Sequence, residues 1–368
     1  MKFTIERDVL LDGIQRLQSV VEKKSTVAIL SNILCEVSDS KVGLYATDLE
    51  VGMKVTLPIQ TEQEGRITLS AKNFLDIVKE LPSGPVHLSK RDNDWIQILS
   101  GKSKFNIVSL PADEYPKLPG FEDKEYFKAR VKALSEMIDR TAFAVSTDAT
   151  RYHLNGVFFE PLENGVMRMT ATDGHRLSCL ETEVFLDAPQ MKRGIIIPRK
   201  GLSEVRRLLE QNSESIELAF DRGYLFARDQ SSALFVRLID GEYPDVRQVI
   251  PSSTKYEAIL DRGTFMSALR RVSLLAHEKS RGVKLNFQNN LLLITSSNPD
   301  KGDAREELDI EFEGEATEVG FNARYFLDCL TVLDSERVCF QFNDRLNPGV
   351  LRGYDQKNYT YVIMPMRI

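Results

Sequence analysis

Asp173, Gly174, His175 and Arg176 place a carboxylate, an imidazole and a guanidinium within four consecutive residues. An acid two positions from a histidine can orient the ring for proton transfer. Hydrolysis would also need a nucleophile. Ser252 is the candidate, because Ser252-Ser253-Thr254-Lys255 has the spacing of the S-x-x-K signature. That signature works with Ser-Asp-Asn and Lys-Thr-Gly partners, and neither accompanies it. A hydrolase using Asp173, His175 and Ser252 is one reading; a turn carrying a polar binding surface is the other. Gly101-Lys102-Ser103 ends like a phosphate-binding loop, but Ile96 stands where that loop needs its first glycine. Cys35, Cys179, Cys329 and Cys339 form no C-x-x-C pair and have no zinc spacing with the histidines, so they read as buried thiols of a reducing compartment. No cofactor or metal is expected.

The turn at Asp173 belongs to a longer pattern. Ala46-Thr47-Asp48, Ala171-Thr172-Asp173 and Ser296-Ser297-Asn298 recur at an interval of 125 residues, each after an apolar, strand-like run. A long equal spacing predicts one domain-sized unit used three times. Two helix columns support it. Leu10-Ile14, Leu134-Ile138 and Phe265-Leu269 are apolar i, i+4 pairs, each followed two residues later by arginine: Arg16, Arg140 and Arg271. Two residues turn ~200° around a helix, so these arginines are expected opposite the buried stripe. Lys72-Asn73-Phe74-Leu75-Asp76-Ile77, Lys200-Gly201-Leu202-Ser203-Glu204-Val205 and Arg324-Tyr325-Phe326-Leu327-Asp328-Cys329 share a second pattern. It predicts a stripe through Phe74, Ile77 and Leu81, with the acid in the first turn. Leu110-Pro111-Ala112-Asp113-Glu114-Tyr115-Pro116 matches Leu238-Ile239-Asp240-Gly241-Glu242-Tyr243-Pro244 at unit ends. Each third thus reads as helix, strands, helix, strands: an α+β domain. Boundaries are expected at 1–120, 121–253 and 254–368.

With 368 residues, 28% charged, 42% hydrophobic and a net charge of −6, the chain has ordinary globular composition. That charge argues against coating by nucleic acid and leaves a local basic surface open. Met1-Lys2-Phe3-Thr4-Ile5-Glu6 opens an amphipathic pattern without a signal-peptide core, and no run reaches the ~20 apolar residues of a membrane span. A cytoplasmic protein is expected, with no membrane partner.

Ala171-Thr172-Asp173-Gly174-His175-Arg176-Leu177, the start Met1-Lys2-Phe3 and the end Met364-Pro365-Met366-Arg367-Ile368 resemble a known family. Arg151-Tyr152-His153-Leu154-Asn155-Gly156 and Pro198-Arg199-Lys200-Gly201 add to the likeness. The chain resembles, along its whole length, the bacterial sliding clamp, the β subunit of the replicative DNA polymerase III holoenzyme. The resemblance implies three similar domains per chain, each with two helices packed on antiparallel sheets. It implies a non-catalytic processivity factor. Two chains would close head to tail as a homodimer, each forming half of a pseudo-sixfold ring around duplex DNA. A ring holds DNA by topology and needs no base readout, only phosphate contacts that allow sliding. The partners implied are a clamp loader, the polymerase and other proteins carrying clamp-binding motifs.

Carried over residue by residue, the peptide-binding pocket would take Leu154, Thr172, Gly174, His175, Arg176, Leu177, Pro244, Val249, Val362, Met364, Pro365, Met366 and Arg367. Methionines adapt to varied apolar side chains, while an arginine and backbone groups fix orientation. Gln248 departs from relatives that carry an arginine there. DNA contacts would involve Lys24, Arg151, Tyr152, Arg199 and Lys200. The ring interface would set Lys102, Lys104, Phe105 and Ile107 against Leu274, Leu275, Asp300, Asp303 and Glu306 of the other chain. Lys301, Gly302 and Arg305 interrupt a stretch that is more acidic in some relatives. A scaffold that binds peptides without DNA is a further alternative.

Overall fold

Six α-helices stand among the described residues: α1 (Arg7–Leu17), α2 (Ala71–Glu80), α3 (Val131–Thr141), α4 (Arg199–Glu210), α5 (Arg262–Val272) and α6 (Ala323–Val332). The computed structural model describes residues 1–22, 27–187, 191, 193–212, 214–278 and 280–368. Each helix buries one face. Leu10, Ile14 and Leu17 do so in α1, and Phe265, Leu269 and Val272 in α5. Full burial of a side chain of this size stabilises by roughly 1.5–3 kcal/mol. α2 starts at Ser70, whose hydroxyl accepts from the Asn73 amide at 3.4 Å. Its buried stripe runs through Ala71, Phe74 and Val78, with Ile77 only half-buried, so the expected stripe is corrected by one position.

The acids expected in the first turn lie deeper, because α2, α4 and α6 begin earlier than their columns suggest. No acid stands in the first turn of any of the three. Glu204 is buried and accepts from Ser19 (2.6 Å) and Arg207 (2.8 Å), and Asp328 accepts from Arg176 (2.5 Å). The shared acids of α4 and α6 thus answer specific donors rather than a helix dipole.

The chain falls into two compact units. The first takes Met1–Val131, Lys200–Leu238 and a short piece beginning at Phe185. It holds a five-stranded sheet ending in the strand Ser103–Val108, and an eight-stranded sheet. In the eight-stranded sheet Val51–Pro58 pairs antiparallel with Ser232–Arg237, from Val51↔Val236 to Val55↔Ser232. The second unit takes Lys132–Val184, a short piece ending at Arg199, and Ile239–Ile368. Its nine-stranded sheet joins Arg176–Glu183 to Tyr359–Ile363, from Arg176↔Ile363 to Leu180↔Tyr359. Its four-stranded sheet ends in the strand Gly302–Asp309. Phe287, Phe312, Phe340 and Phe342 stack in this unit's core, with Phe287 and Phe342 at 4.5 Å between centroids.

The arginine column departs from its expected outward direction. Arg140 is buried, donating to Gln356 (3.0 Å) and Asp334 (3.1 Å) with its guanidinium 5.6 Å from the Tyr359 ring centroid. Arg16 is partly buried and donates to Ser231 (3.1 Å) and Ser232 (3.3 Å). Arg271 is exposed and paired with Glu306. Helical angle predicts the side of departure of a side chain, but a long flexible arginine folds back wherever an acceptor lies beside the helix.

Candidate functional site

Asp173 closes the tight turn between the strands Val166–Thr172 and Arg176–Glu183. Its Oδ1 accepts from the amides of His175 (2.9 Å) and Arg176 (3.1 Å). Thr172 Oγ1 donates to the Arg176 carbonyl at 2.6 Å and accepts from the Gly174 amide at 3.1 Å. Short polar side chains of this kind replace backbone partners and so favour turns. The first repeat builds the same turn: Asp48 accepts from Glu50 and Val51, and Thr47 donates to the Val51 carbonyl. Leu49 there takes the left-handed position at φ +78°, which Gly174 takes at +87°. What sets Gly174 apart is the close approach of Arg151, whose Nη1 would stand 2.7 Å from an added Cβ.

Asp173 Oδ2 also accepts from Arg176 Nε at 3.1 Å. The carboxylate is thus engaged with the turn and with arginine, which takes the orienting acid away from the hydrolase reading. Arg176 itself is buried. Its Nη1 donates to Asp328 at 2.5 Å and its Nη2 to the Phe143 carbonyl at 2.7 Å. The guanidinium lies 4.7 Å from the Tyr325 ring centroid and 5.4 Å from that of Phe143. Burial alone would lower its pKa, but Tyr361, Asp328 and Asp173 outweigh burial and raise it. Arg176 is therefore a permanently charged strut under the turn, with its nitrogens already committed inside the chain.

Leu177, Cys179, Val246, Val350 and Val362 form an apolar cluster, with Tyr243 and Ile250 packed against it. The Tyr243 ring stacks on Phe158, centroids 5.1 Å apart and planes within 3°, and its hydroxyl accepts from the Thr172 amide at 3.0 Å. The Met364 amide donates to the His175 carbonyl at 2.9 Å, and the Met366 amide to the Gly320 carbonyl at 2.9 Å. These bonds and pairings bring Thr172, Gly174, His175, Arg176, Leu177, Val362 and Met364 together. Leu154 is buried at the end of the short helix Ala149–Leu154, whose Arg151 reaches Gly174. Val249 (44% exposed) and Met364 (37%) present apolar surface beside the cluster members Val246 and Val362. Pro244 and Arg367 are exposed; Pro365 and Met366 are half-buried. Met366 and Arg367 line a groove of about 640 Å³ with Lys284, Gly320, Leu346 and Ile368. Sequence reasoning missed Tyr243, Phe143 and Tyr325 as parts of this site. Tyr243 carried a signal, since it sits in the repeated Glu-Tyr-Pro column.

Three family models match the chain in order. The N-terminal domain of the DNA polymerase III beta subunit matches residues 1–119, its central domain 129–245 and its C-terminal domain 247–367. The chain belongs to the DNA polymerase III beta subunit family. It is 34% identical over 369 residues to the beta sliding clamp of Vibrio cholerae, with all of both chains covered. The solved DNA polymerase sliding clamp of Bacillus subtilis matches with a TM-score of 0.95 at 32% identity, over 100% of this chain and 99% of that one. The Pseudomonas aeruginosa clamp bound to griselimycin matches with a TM-score of 0.92 at 33% identity, over all of both chains.

The remaining residues singled out by the clamp resemblance fall as follows. Arg151 is half-buried and paired with Asp148 at 3.1 Å, and Tyr152 is 56% exposed. Arg199 opens α4 and is exposed; Lys200 follows and is paired with Asp48. Lys24 lies outside the described residues. Lys102 is in the turn before the strand Ser103–Val108, which carries Lys104, Phe105 and Ile107. Leu274, 74% exposed, and Leu275 follow α5 in a short helix. Asp300 stands in a turn, and Asp303 and Glu306 in the strand Gly302–Asp309. Lys301 pairs with Glu278 and Arg305 with Glu307, so both departures from the acidic pattern are balanced locally.

Proposed function

We propose that this chain closes head to tail with a second copy into a ring around duplex DNA. There it serves as a sliding clamp that tethers the replicative polymerase and other replication and repair proteins. One observation carries the reading. Two strand junctions inside the chain repeat one geometry: Val51–Pro58 with Ser232–Arg237, and Arg176–Glu183 with Tyr359–Ile363. The third strand of the first kind is Gly302–Asp309, which follows the third repeated turn. The third of the second kind is Ser103–Val108, which precedes the Leu110–Pro116 column. Both end their sheets. Each is the missing partner of the other, so two chains can satisfy both edges. This supports an interface of Lys102, Lys104, Phe105 and Ile107 with Leu274, Leu275, Asp300, Asp303 and Glu306 of the partner subunit.

Domains at 1–120, 121–253 and 254–368 fit this plan, because the repeated turns and edges then recur once in each. Arg151, Tyr152, Arg199, Lys200 and Lys24 would meet phosphates without reading sequence. Lys200 does so only by sharing or leaving Asp48. Linear peptides of client proteins would dock at the turn Thr172–Leu177, on Val249, Met364 and the groove at Met366 and Arg367. With Arg176 committed internally, Arg367 and the turn's backbone are left to orient such a peptide. The work is that of a cytoplasmic, non-catalytic subunit, and ring opening falls to a separate loader.

The test is topological. After loading, the protein should stay on closed circular DNA and be lost when the circle is cut. Equal retention on circular and linear DNA would sink the ring. A second arm is salt: slower diffusion along the duplex at low salt separates the clamp from a scaffold that binds peptides alone.

A further inference from the structure

Arg16, Arg140 and Arg271 are each the tenth residue of an eleven-residue helix, α1, α3 and α5. The first two have one job. Arg16 donates to Ser232, the first residue of the strand Ser232–Arg237. Arg140 covers the ring of Tyr359, the first residue of the strand Tyr359–Ile363. In both cases that residue faces the fifth residue of the strand it pairs with: Ser232 faces Val55, and Tyr359 faces Leu180. Each arginine thus clasps the next repeat at one fixed point of the strand junction.

Among the described residues, the third arginine has no such neighbour within its own chain. Counting the same way, the fifth residue of Gly302–Asp309 is Glu306, and the first residue of Ser103–Val108 is Ser103. Arg271 is held in place by Glu306, with Nε–Oε1 at 2.5 Å and Nη2–Oε2 at 2.6 Å. A glutamate therefore stands where the two internal junctions have Val55 and Leu180. Face agrees as well as count. Phe105 pairs with the buried Ile98 and Ile107 with the buried Ile96, so Ser103 is on the core-facing side of its strand. Glu306 alternates with the buried Leu308 and shares its face.

We propose that Arg271 is the clasp between the two chains. Pre-aimed by Glu306, it donates to the hydroxyl of Ser103 of the partner subunit, and that hydroxyl donates to Glu306. A serine hydroxyl supplies both functions at once. The inference rests on the ring reading and goes beyond it, by naming the register and a contact that the exposed edges alone do not give. Gly302 then faces the partner's Ile107, and Glu306 faces the partner's Ser103. Arg271 is a positioning residue for assembly, and in the open chain the Arg271–Glu306 pair holds the site ready.

Sedimentation over a dilution series tests this on the full-length chain. Arg271→Ala should raise the dimer dissociation constant about tenfold, because both junctions of the ring change together. Ser103→Ala should raise it less, and the double variant should fall short of the product of the two. At dilutions where both proteins are monomeric, the thermal midpoint of Arg271→Ala should match wild type, since the side chain is 58% exposed. Arg16→Ala should show the reverse: a lower midpoint and unchanged dimerisation. Unchanged dissociation constants, or purely multiplicative effects, overturn the clasp while leaving the ring. A wild-type chain that stays monomeric at micromolar concentration removes both.

Discussion

Arg176 shows how far one residue can depart from its apparent role. It stands in a loop-forming stretch of polar letters, yet it is buried with two carboxylates, one carbonyl and two aromatic faces around it. Replacing it with alanine should cost about 3 kcal/mol of stability, because Asp328 and Asp173 would lose their shared counter-charge. A shift under 1 kcal/mol in denaturant titration would show that water reaches those carboxylates. The turn itself was legible, since Thr, Asp and Gly in that order specify their own hydrogen bonds. The strut was not legible, because Asp328 lies 152 residues from Arg176 along the chain. A second residue-scale expectation concerns Cys179, whose thiol burial pushes from its ordinary 9.0 up to about 11. The folded state favours the neutral thiol, so this contribution is whole below pH 9 and is lost as pH rises through 11. Cys179→Ala should therefore flatten the fall in unfolding midpoint between pH 9 and 11. An unchanged slope would assign that fall to other buried groups.

At the scale of elements, matching helices are started by different means. α5 is capped by Asp261, whose Oδ1 accepts from the Thr264 amide and hydroxyl, both at 2.7 Å. α1 begins at Glu6, which makes no cap bond with its side chain. Asp261→Ala should cost about 1 kcal/mol, and Glu6→Ala much less. The Thr264 bonds hold the Asp261 carboxyl below its ordinary 3.8. Its contribution is present above pH 3.8 and fades as the pH falls below that, so the gap between variant and wild type should close in acid. A gap that persists in acid would contradict capping by the charged form. Periodicity gave α1 and α5 their buried faces, because an apolar i, i+4 pair reports only on its own helix. It placed the α2 stripe one position away, because choosing between Ile77 and Val78 depends on the sheet beneath.

At the scale of the whole molecule, two strand junctions inside the chain share one chemistry, and the two free edges show another. The two internal junctions are largely apolar: Val51, Met53 and Val55 meet Ser232, Leu234 and Val236, and Ser178 and Leu180 meet Tyr361 and Tyr359. The free edge Gly302–Asp309 carries Asp303, Arg305, Glu306, Glu307 and Asp309, while the free edge Ser103–Val108 carries Lys104. Raising salt from 0.1 to 1 M, which shortens the screening length from about 10 Å to about 3 Å, should weaken dimerisation several-fold. The midpoint of intrachain unfolding should hold steady; a parallel fall in both would mean the internal junctions are electrostatic too. The threefold repeat was plain in the letters, because turns and helix stripes are local. The division into two compact units was not, since it follows strand pairing between residues as far apart as Val51 and Val236.

Two complementary edges on one chain also define a monomer for polymerisation. Nothing in the edges themselves counts to two. A closed pair and an endless filament satisfy the same hydrogen bonds, and only the rotation accumulated along each chain decides between them. The internal junctions set that rotation. A substitution that reshapes Val51–Pro58 against Ser232–Arg237 could leave every edge contact intact and still turn a closed assembly into fibres.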